Sequence, residues 1–323
     1  MNSFGRNFRI TIFGESHGEA LGVVMDGVPA GIPLAASDFK ADLSRRRSGA
    51  KGTTPRREGD IPELVSGIFE GHTTGAPLTV LFRNEDTHSK DYAKLVEHPR
   101  PSHADFTAAK KFSGHNDPRG GGHFSGRLTL GLVAAGVVAK KVLGEVKIAA
   151  EIIELGGSRE RTMFDAIISE AVAEMDSVGG VVECRATGVP AGLGEPFFDS
   201  VESMVSHLMF SIPGVKGVEF GRGFDSAKLR GSENNDMITD ASGTTATNNA
   251  GGIAGGITNG NELVVRIAVK PTASIPRPQE TFNFATGRIE TLTIGGRHDA
   301  CIALRVPVIA EAAVAITLAD FSL

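Results

Sequence analysis

Two stretches of the 323-residue chain, 125–142 and 306–321, are apolar on nearly every side. A helix with no polar face has nothing to turn toward water, so both must lie buried between layers of other structure. In the first, Leu128, Leu130, Leu132, Val133, Val137 and Val138 point all round the axis, and Gly131, Ala134, Ala135 and Gly136 admit close neighbours. Around this pair the spacing of apolar residues predicts strands at 8–13, 63–69, 77–82, 146–153, 180–186, 217–220 and 262–269. It predicts further helices at 37–47, with Ser37 as N-cap, and at 104–112, 161–175 and 197–210. No low-complexity linker interrupts the chain, which predicts one α+β domain over 1–323, built of layered sheets and helices. The glycine-rich segments near 120 and 255 are too dissimilar to count as a repeat.

Composition removes several classes of function. A net charge of −5 argues against general polyanion binding, and with no Trp and one Tyr the chain has few rings to stack on bases, so no nucleic-acid partner is expected. Cys184 and Cys301 form neither a disulfide framework nor a metal-ligand spacing, which suits a reducing cytoplasm. The N-terminus lacks the apolar core of a signal peptide, and the longest apolar run, 130–139, is far shorter than a bilayer span, so no membrane partner is expected either.

The chemistry concentrates between positions 98 and 129. That stretch holds four of the nine histidines (His98, His103, His115, His123), together with Arg100, Arg119, Arg127 and the run Gly120-Gly121-Gly122 ahead of an apolar helix. Glycine backbone can approach an anion closely, a helix N-terminus adds positive potential, and imidazole moves protons near neutrality. Three other loops carry polar groups. Ser16 and His17 follow the first strand. Arg45, Arg46, Arg47, Lys51, Arg56 and Arg57, interleaved with Gly, Thr and Pro, form a basic loop able to close over an acidic ligand. Arg297, His298 and Asp299 precede the last helix. Lys270-Pro271-Thr272-Ala273-Ser274 ends a strand with one cation and two hydroxyls, a combination fit for a phosphate ester. The long polar stretch 232–249 is either functional or disordered.

So many cations imply a small ligand that is several times negative. The glycine runs match neither GxxxxGK[ST], since His123 and Phe124 stand where the lysine belongs, nor GxGxxG. Two other readings stay open on the residues alone. His103-x-Asp105, His115-x-Asp117 and His298-Asp299 fit a metal-dependent phosphoesterase, and the loops also suit a noncatalytic anion-binding protein. Lone histidines usually satisfy a structural hydrogen bond, the role expected of His98, His115, His207 and His298.

GESHG at 14–18, the arginine loop with TTPRRE, RPSHAD at 100–105, GGGHFSGRLT at 120–129, SIPGVKGVEFGRGF at 211–224, NNAGGIAGGITNG at 248–260, KPTASI at 270–275 and GRHDACIALRVPV at 296–308 together resemble chorismate synthase. The resemblance implies a fold of helices sandwiched between antiparallel β-sheets and a homotetramer. It implies elimination of phosphate from 5-enolpyruvylshikimate 3-phosphate to give chorismate, with reduced FMN required although there is no net redox change, and NADPH at most as a reductant. Carried over, His17 would protonate the departing phosphate, His103 would protonate the reduced flavin or hold its charge, and Asp299 would assist removal of the ring proton through flavin N5. Ser16, Arg46, Lys51, Arg100, Ser125, Arg127 and Arg297 would grip the substrate. His123, Phe124, Ser125, Pro213, Gly214, Gly255, Lys270, Pro271, Thr272, Ala273, Ser274 and Arg297 would hold the flavin. Most members carry Arg-Ser-Ser-Ala-Arg-Glu-Thr where this chain has residues 123–129, so one cation and one carboxylate beside the site are missing.

Overall fold

A computed structural model describes residues 2–49, 51–54, 56, 58–85, 95–296 and 298–323. Its helices are α1 (Lys40–Arg46), α2 (Asp105–Lys111), α3 (Thr129–Leu143), α4 (Phe164–Ala173), α5 (Val201–Ser211), α6 (Gly231–Asn234) and α7 (Val306–Ser322). A first antiparallel sheet runs in the order Ser3–Phe4, Arg9–Gly14, Ala20–Asp26, Leu78–Arg83, Glu63–Ser66. A second runs Val215–Phe220, Leu263–Val269, Gly180–Thr187, Lys147–Leu155. Helix α3 packs on the first sheet, α7 on the second, and the two helices pack on each other.

Alternation fixes which face of each sheet turns inward. In the first sheet Leu21, Val23 and Met25 pair with Phe82, Val80 and Leu78, and all six side chains are fully buried. In the second, Val265 and Ile267 face Cys184 and Val182 across the ladder, again inside. The two apolar helices fill the space between, each fully buried Leu, Val or Ile contributing roughly 1.5–3 kcal/mol. Close packing here depends on missing side chains: a Cβ on Gly136 would stand 2.4 Å from that of Ala312, and one on Gly131 would stand 2.7 Å from Ile12 Cδ1.

Two buried carboxylates on α7 fix its position. Glu311 accepts from Arg45, from Lys140 and from the backbone N–H of Ala150, joining α1, α3 and the second sheet. Asp320 Oδ1 accepts the N–H groups of Arg6, Asn7 and Phe8 at 2.7, 2.7 and 2.8 Å, which ties the end of α7 to the start of the first sheet. α7 with its preceding turn is long and apolar enough to cross a membrane, but it is a core helix, mostly buried inside the fold.

Several boundaries differ from the sequence reading. The central strand Ala20–Asp26 and the hairpin Gln279–Asn283/Arg288–Leu292 had no signal strong enough to assign. Ser37 is not an N-cap: it lies inside the 3₁₀ turn Ala36–Phe39, because Asp38 reaches back to accept the N–H of Ala35 at 2.9 Å. The helix expected at 197–210 starts at Val201, capped by Ser200, whose hydroxyl accepts from Ser203 N–H. The polar stretch 232–249 is folded on itself, with Asp236 accepting from Thr247 Oγ1 and from the N–H groups of Asn249 and Ala250. Arg57 and Arg297 lie outside the described residues.

Candidate active site

A cavity of about 820 Å³ opens where the N-termini of α3 and α7 meet the basic loop and the end of the strand Leu263–Val269. Gly126, Arg127 and Thr129 bring the start of α3 to its wall, and Ile302, Arg305 and Val306 bring that of α7. Both helices are long enough for their aligned peptide dipoles to make this end positive. Among the described residues, seven cationic side chains line it (Arg46, Arg47, Arg56, Arg100, Arg127, Lys270, Arg305) against three carboxylates (Glu58, Asp60, Asp299), an excess of four positive charges with histidines left out of the count. Ile212, Pro213, Ile302, Val306 and Ile309 give the same cavity an apolar portion.

The three glycines shape one wall. All have positive φ (60°, 81° and 53°), and short 3₁₀ turns separate them from α3, so the run does not open directly onto the helix as the sequence suggested. A Cβ at Gly120 would lie 2.7 Å from His17 Nε2 and 2.8 Å from Ser16 Oγ, so only glycine lets this backbone close over both groups. The N–H of Ser16 donates to Gly122 O at 3.1 Å, locking the Ser16-His17 turn against the run. Arg56 donates to both Ser16 Oγ and Ser16 O at 3.0 Å and is itself paired with Glu58. His17 is 8% exposed. Burial, with the charges of Arg56 and then Arg119 beside it, pushes its pKa down to about 4. In the ligand-free protein it is therefore a neutral imidazole at pH 7.

A second cluster begins at His103. Its Nδ1 lies 2.7 Å from Asp105 Oδ1, at ion-pair distance but off the axis of a well-formed hydrogen bond. Arg100 grips both oxygens of the same carboxylate at 2.7 Å and reaches with Nη1 to Ser274 Oγ at 2.9 Å. Lys270 donates to Ser102 O at 3.0 Å, and its own N–H donates to Gly214 O at 2.8 Å. Residues 270–274, the 213–214 turn and the His103 loop thus form one connected wall. Thr272 Oγ1 in that wall is buried and has no hydrogen-bond partner among the described residues.

Arg46 is the most telling side chain. It is 2% exposed, and its Nε and Nη1 have no hydrogen-bond partner among the described residues. Its nearest anion is Asp60, 3.8 Å from Nη2. Burial, then the like charge of Arg305, lowers its pKa to about 9. Leaving two donors of a buried cation unsatisfied is costly, and an anion in the cavity would relieve that cost. Arg127 differs, since it already donates to Asn84 Oδ1 and Asp60 Oδ1 at 2.5 and 2.8 Å. Asp299 accepts from the N–H of Thr54 at 2.9 Å and from Arg305 at 3.2 Å.

Most expected site residues meet here: Ser16, Arg46, Arg100, His103, His123, Phe124, Ser125, Arg127, Pro213, Gly214, the whole of 270–274 and Asp299 line one cavity. His17 sits just behind Gly120. Lys51 and Gly255 are exposed and outside the cavity wall. His123 is held by Gly14 O at 2.7 Å and by Asn2 Oδ1 at 3.2 Å, so its ring anchors the N-terminal segment. His298 contacts Gly295 O, as a structural histidine would, and also lines the cavity. The sequence shows no signal for Glu58, Asp60 or Arg305, whose roles depend on which opposite charge each meets in the fold. Among the described residues no three His, Cys, Asp or Glu side chains converge to hold a metal, so the three histidine–carboxylate pairs do not build a phosphoesterase centre.

Residues 8–323 match the family model described as chorismate synthase. The chain is 60% identical to a chorismate synthase of Chitinophaga pinensis, with alignment covering 100% of this chain and 97% of that one. It is 45% identical to a chorismate synthase of Dehalococcoides mccartyi, covering 100% and 96%. A crystal structure of chorismate synthase superimposes with a TM-score of 0.74 at 28% identity, over 98% of this chain and 92% of the other.

Proposed function

The chain belongs to the chorismate synthase family, lyases of aromatic biosynthesis, and from that premise we propose that the 820 Å³ cavity is where it eliminates phosphate from 5-enolpyruvylshikimate 3-phosphate. The observation that carries this assignment is Arg46, a buried cation with two unsatisfied donors in a cavity carrying four excess positive charges. The substrate has two carboxylates and a phosphate monoester of about −1.5 to −2, so its total of about −3.5 to −4 complements that excess. The cavity volume is at the upper end of the range for small-molecule sites, which suits two ligands side by side.

Reduced FMN fits the other half. The apolar portion can accept a ring system, while Lys270, the unpartnered Thr272 hydroxyl and Ser274 offer a cation and hydroxyls to its phosphate. When bound, reduced FMN would supply transient electron density for the elimination. The protein's part is binding, orientation and proton placement. Arg46 and its cationic neighbours would stabilise the charge gathering on the departing phosphate. His17 would present a proton to that phosphate, and His103 would protonate the reduced flavin or hold its charge in place. Asp299, fixed by Thr54 and Arg305, would assist removal of the ring proton. Pro213, Gly214, Phe124 and Ser125 would position the flavin, and Arg100 would keep the phosphate wall in register.

The homotetramer, the cytoplasmic setting and NADPH as at most a reductant belong to the same reading. Phe197, Phe198 and Phe224, 85, 90 and 81% exposed, support contact between copies, since rings of this size are seldom left in water. Equilibrium titration with FMN tests the site. Affinity is expected to rise at least about tenfold once the phosphorylated substrate is present, because each ligand forms a wall of the other's site. FMN binding indifferent to saturating substrate would overturn the shared cavity.

A further inference from the structure

We propose that Asp105 is a positioning residue for His103, holding the proton on Nδ1 so that Nε2 is the nitrogen presented to the cavity. The inference rests on the reading of His103 as a proton carrier. Its support is geometric. An ionised carboxylate can only accept, so the imidazole nitrogen 2.7 Å from Asp105 Oδ1 has to carry hydrogen. The opposite edge of the ring lies beside the glycine run, where a Cβ on Gly121 would stand 3.6 Å from Cε1 and Nε2 without a clash, and His103 itself lines the cavity.

The carboxylate is itself fixed. Arg100 holds Oδ2 through Nε and Oδ1 through Nη2, and its backbone N–H adds a third bond to Oδ2 at 3.1 Å. Rotation of the carboxylate away from His103 would break all three. Burial alone would favour the protonated acid, but the hydrogen bonds from Arg100 and the adjoining His103 outweigh it and hold Asp105 well below the usual carboxylate range. Between the two lies Ser102, a non-glycine residue at φ 57°, whose carbonyl accepts from Lys270. A backbone held in this sparsely populated conformation, with bonds on both sides, delivers the imidazole at one angle.

Selective ¹⁵N-histidine NMR of the full-length, ligand-free protein reads the tautomer directly, with His103 assigned by its loss in His103→Gln. The neutral ring is expected to be protonated on Nδ1, the less common form of free imidazole; a ring protonated on Nε2 overturns the proposal. Kinetics give an independent reading. Asp105→Ala should lower kcat about as far as His103→Ala, by tenfold or more, with substrate KM within about twofold. It should add nothing in the double variant, and Asp105→Glu should recover part of the loss. Losses that add, or a KM effect with kcat intact, point to a merely structural carboxylate and overturn the proposal. If Asp105→Ala does not fold because Arg100 loses its anion, the tautomer of the unmodified protein decides alone. Wild-type turnover in His103→Ala would overturn the proposal together with the His103 reading, whereas an Nε2-protonated ring beside an impaired His103→Ala overturns the proposal only.

Discussion

Arg127 donates through Nη1 to Asp60 Oδ1 at 2.8 Å, and both side chains are almost wholly buried. The pair takes up the charge of one cavity arginine internally and leaves Arg46, 3.8 Å from the other oxygen of the same carboxylate, to meet what enters. Two arginines in one wall therefore have different work, and substitution separates them. Arg46→Met is expected to raise substrate KM at least about tenfold with little loss of stability, because it removes a buried charge that the fold does not satisfy. Arg127→Met is expected to cost about 3–5 kcal/mol, because it takes from buried Asp60 its hydrogen-bonded cation and leaves Arg46 and Arg47 at 3.8 and 3.9 Å. Steady-state kinetics and urea unfolding of both variants check this.

His17 gives a pH dependence whose sign is set by its environment. Its pKa is about 4 in the folded protein, against about 6.5 for an ordinary histidine. Between those values the unfolded chain binds the additional proton, so the stability contributed by neutral His17 is fully present above about 6.5 and is lost as pH falls toward 4. The expected loss is of order 2–3 kcal/mol, and His17→Asn should abolish it. A substrate phosphate beside the ring favours the charged form. Substrate binding near pH 7 should then take up part of a proton, measurable by calorimetry in buffers of different ionisation enthalpy and absent in His17→Asn.

Gly120→Ala tests the wall itself. The new methyl would collide with His17 and Ser16 at a position whose φ is 60°, so strain and displacement act together. A stability loss of about 1–3 kcal/mol is expected, with turnover falling at least about tenfold. Turnover unchanged within twofold would mean that the Ser16-His17 turn need not be held where it is.

Much of this was legible in the residues because the features were local. Helices α3 and α7 announce themselves by having no polar face, and the strands Gly180–Thr187 and Leu263–Val269 by apolar runs bounded by glycine or polar turns. The strand Ala20–Asp26 was harder to read, because a central strand shows a short apolar run without clean alternation. The start of α3 was misplaced by four residues because Ser125 is extended and 126–128 form a 3₁₀ turn ahead of the helix, which an apolar count does not register. In the site, the histidines and arginines stood out by type. What each of them meets did not: Arg56 on Ser16 and Asp60 between Arg46 and Arg127 join separate segments of the chain, and Arg305 on Asp299 depends on the turn that leads into α7. Those pairings decide which arginine is already satisfied within the fold.

The most direct test of the central claim, that reduced FMN and the enolpyruvyl substrate share this one cavity, is an anaerobic turnover assay that follows chorismate absorbance and phosphate release together. With dithionite-reduced FMN the two products are expected in a one-to-one ratio, unaffected by a metal chelator, with neither formed when FMN is left out. Phosphate released without flavin, or lost on chelation, would contradict the account.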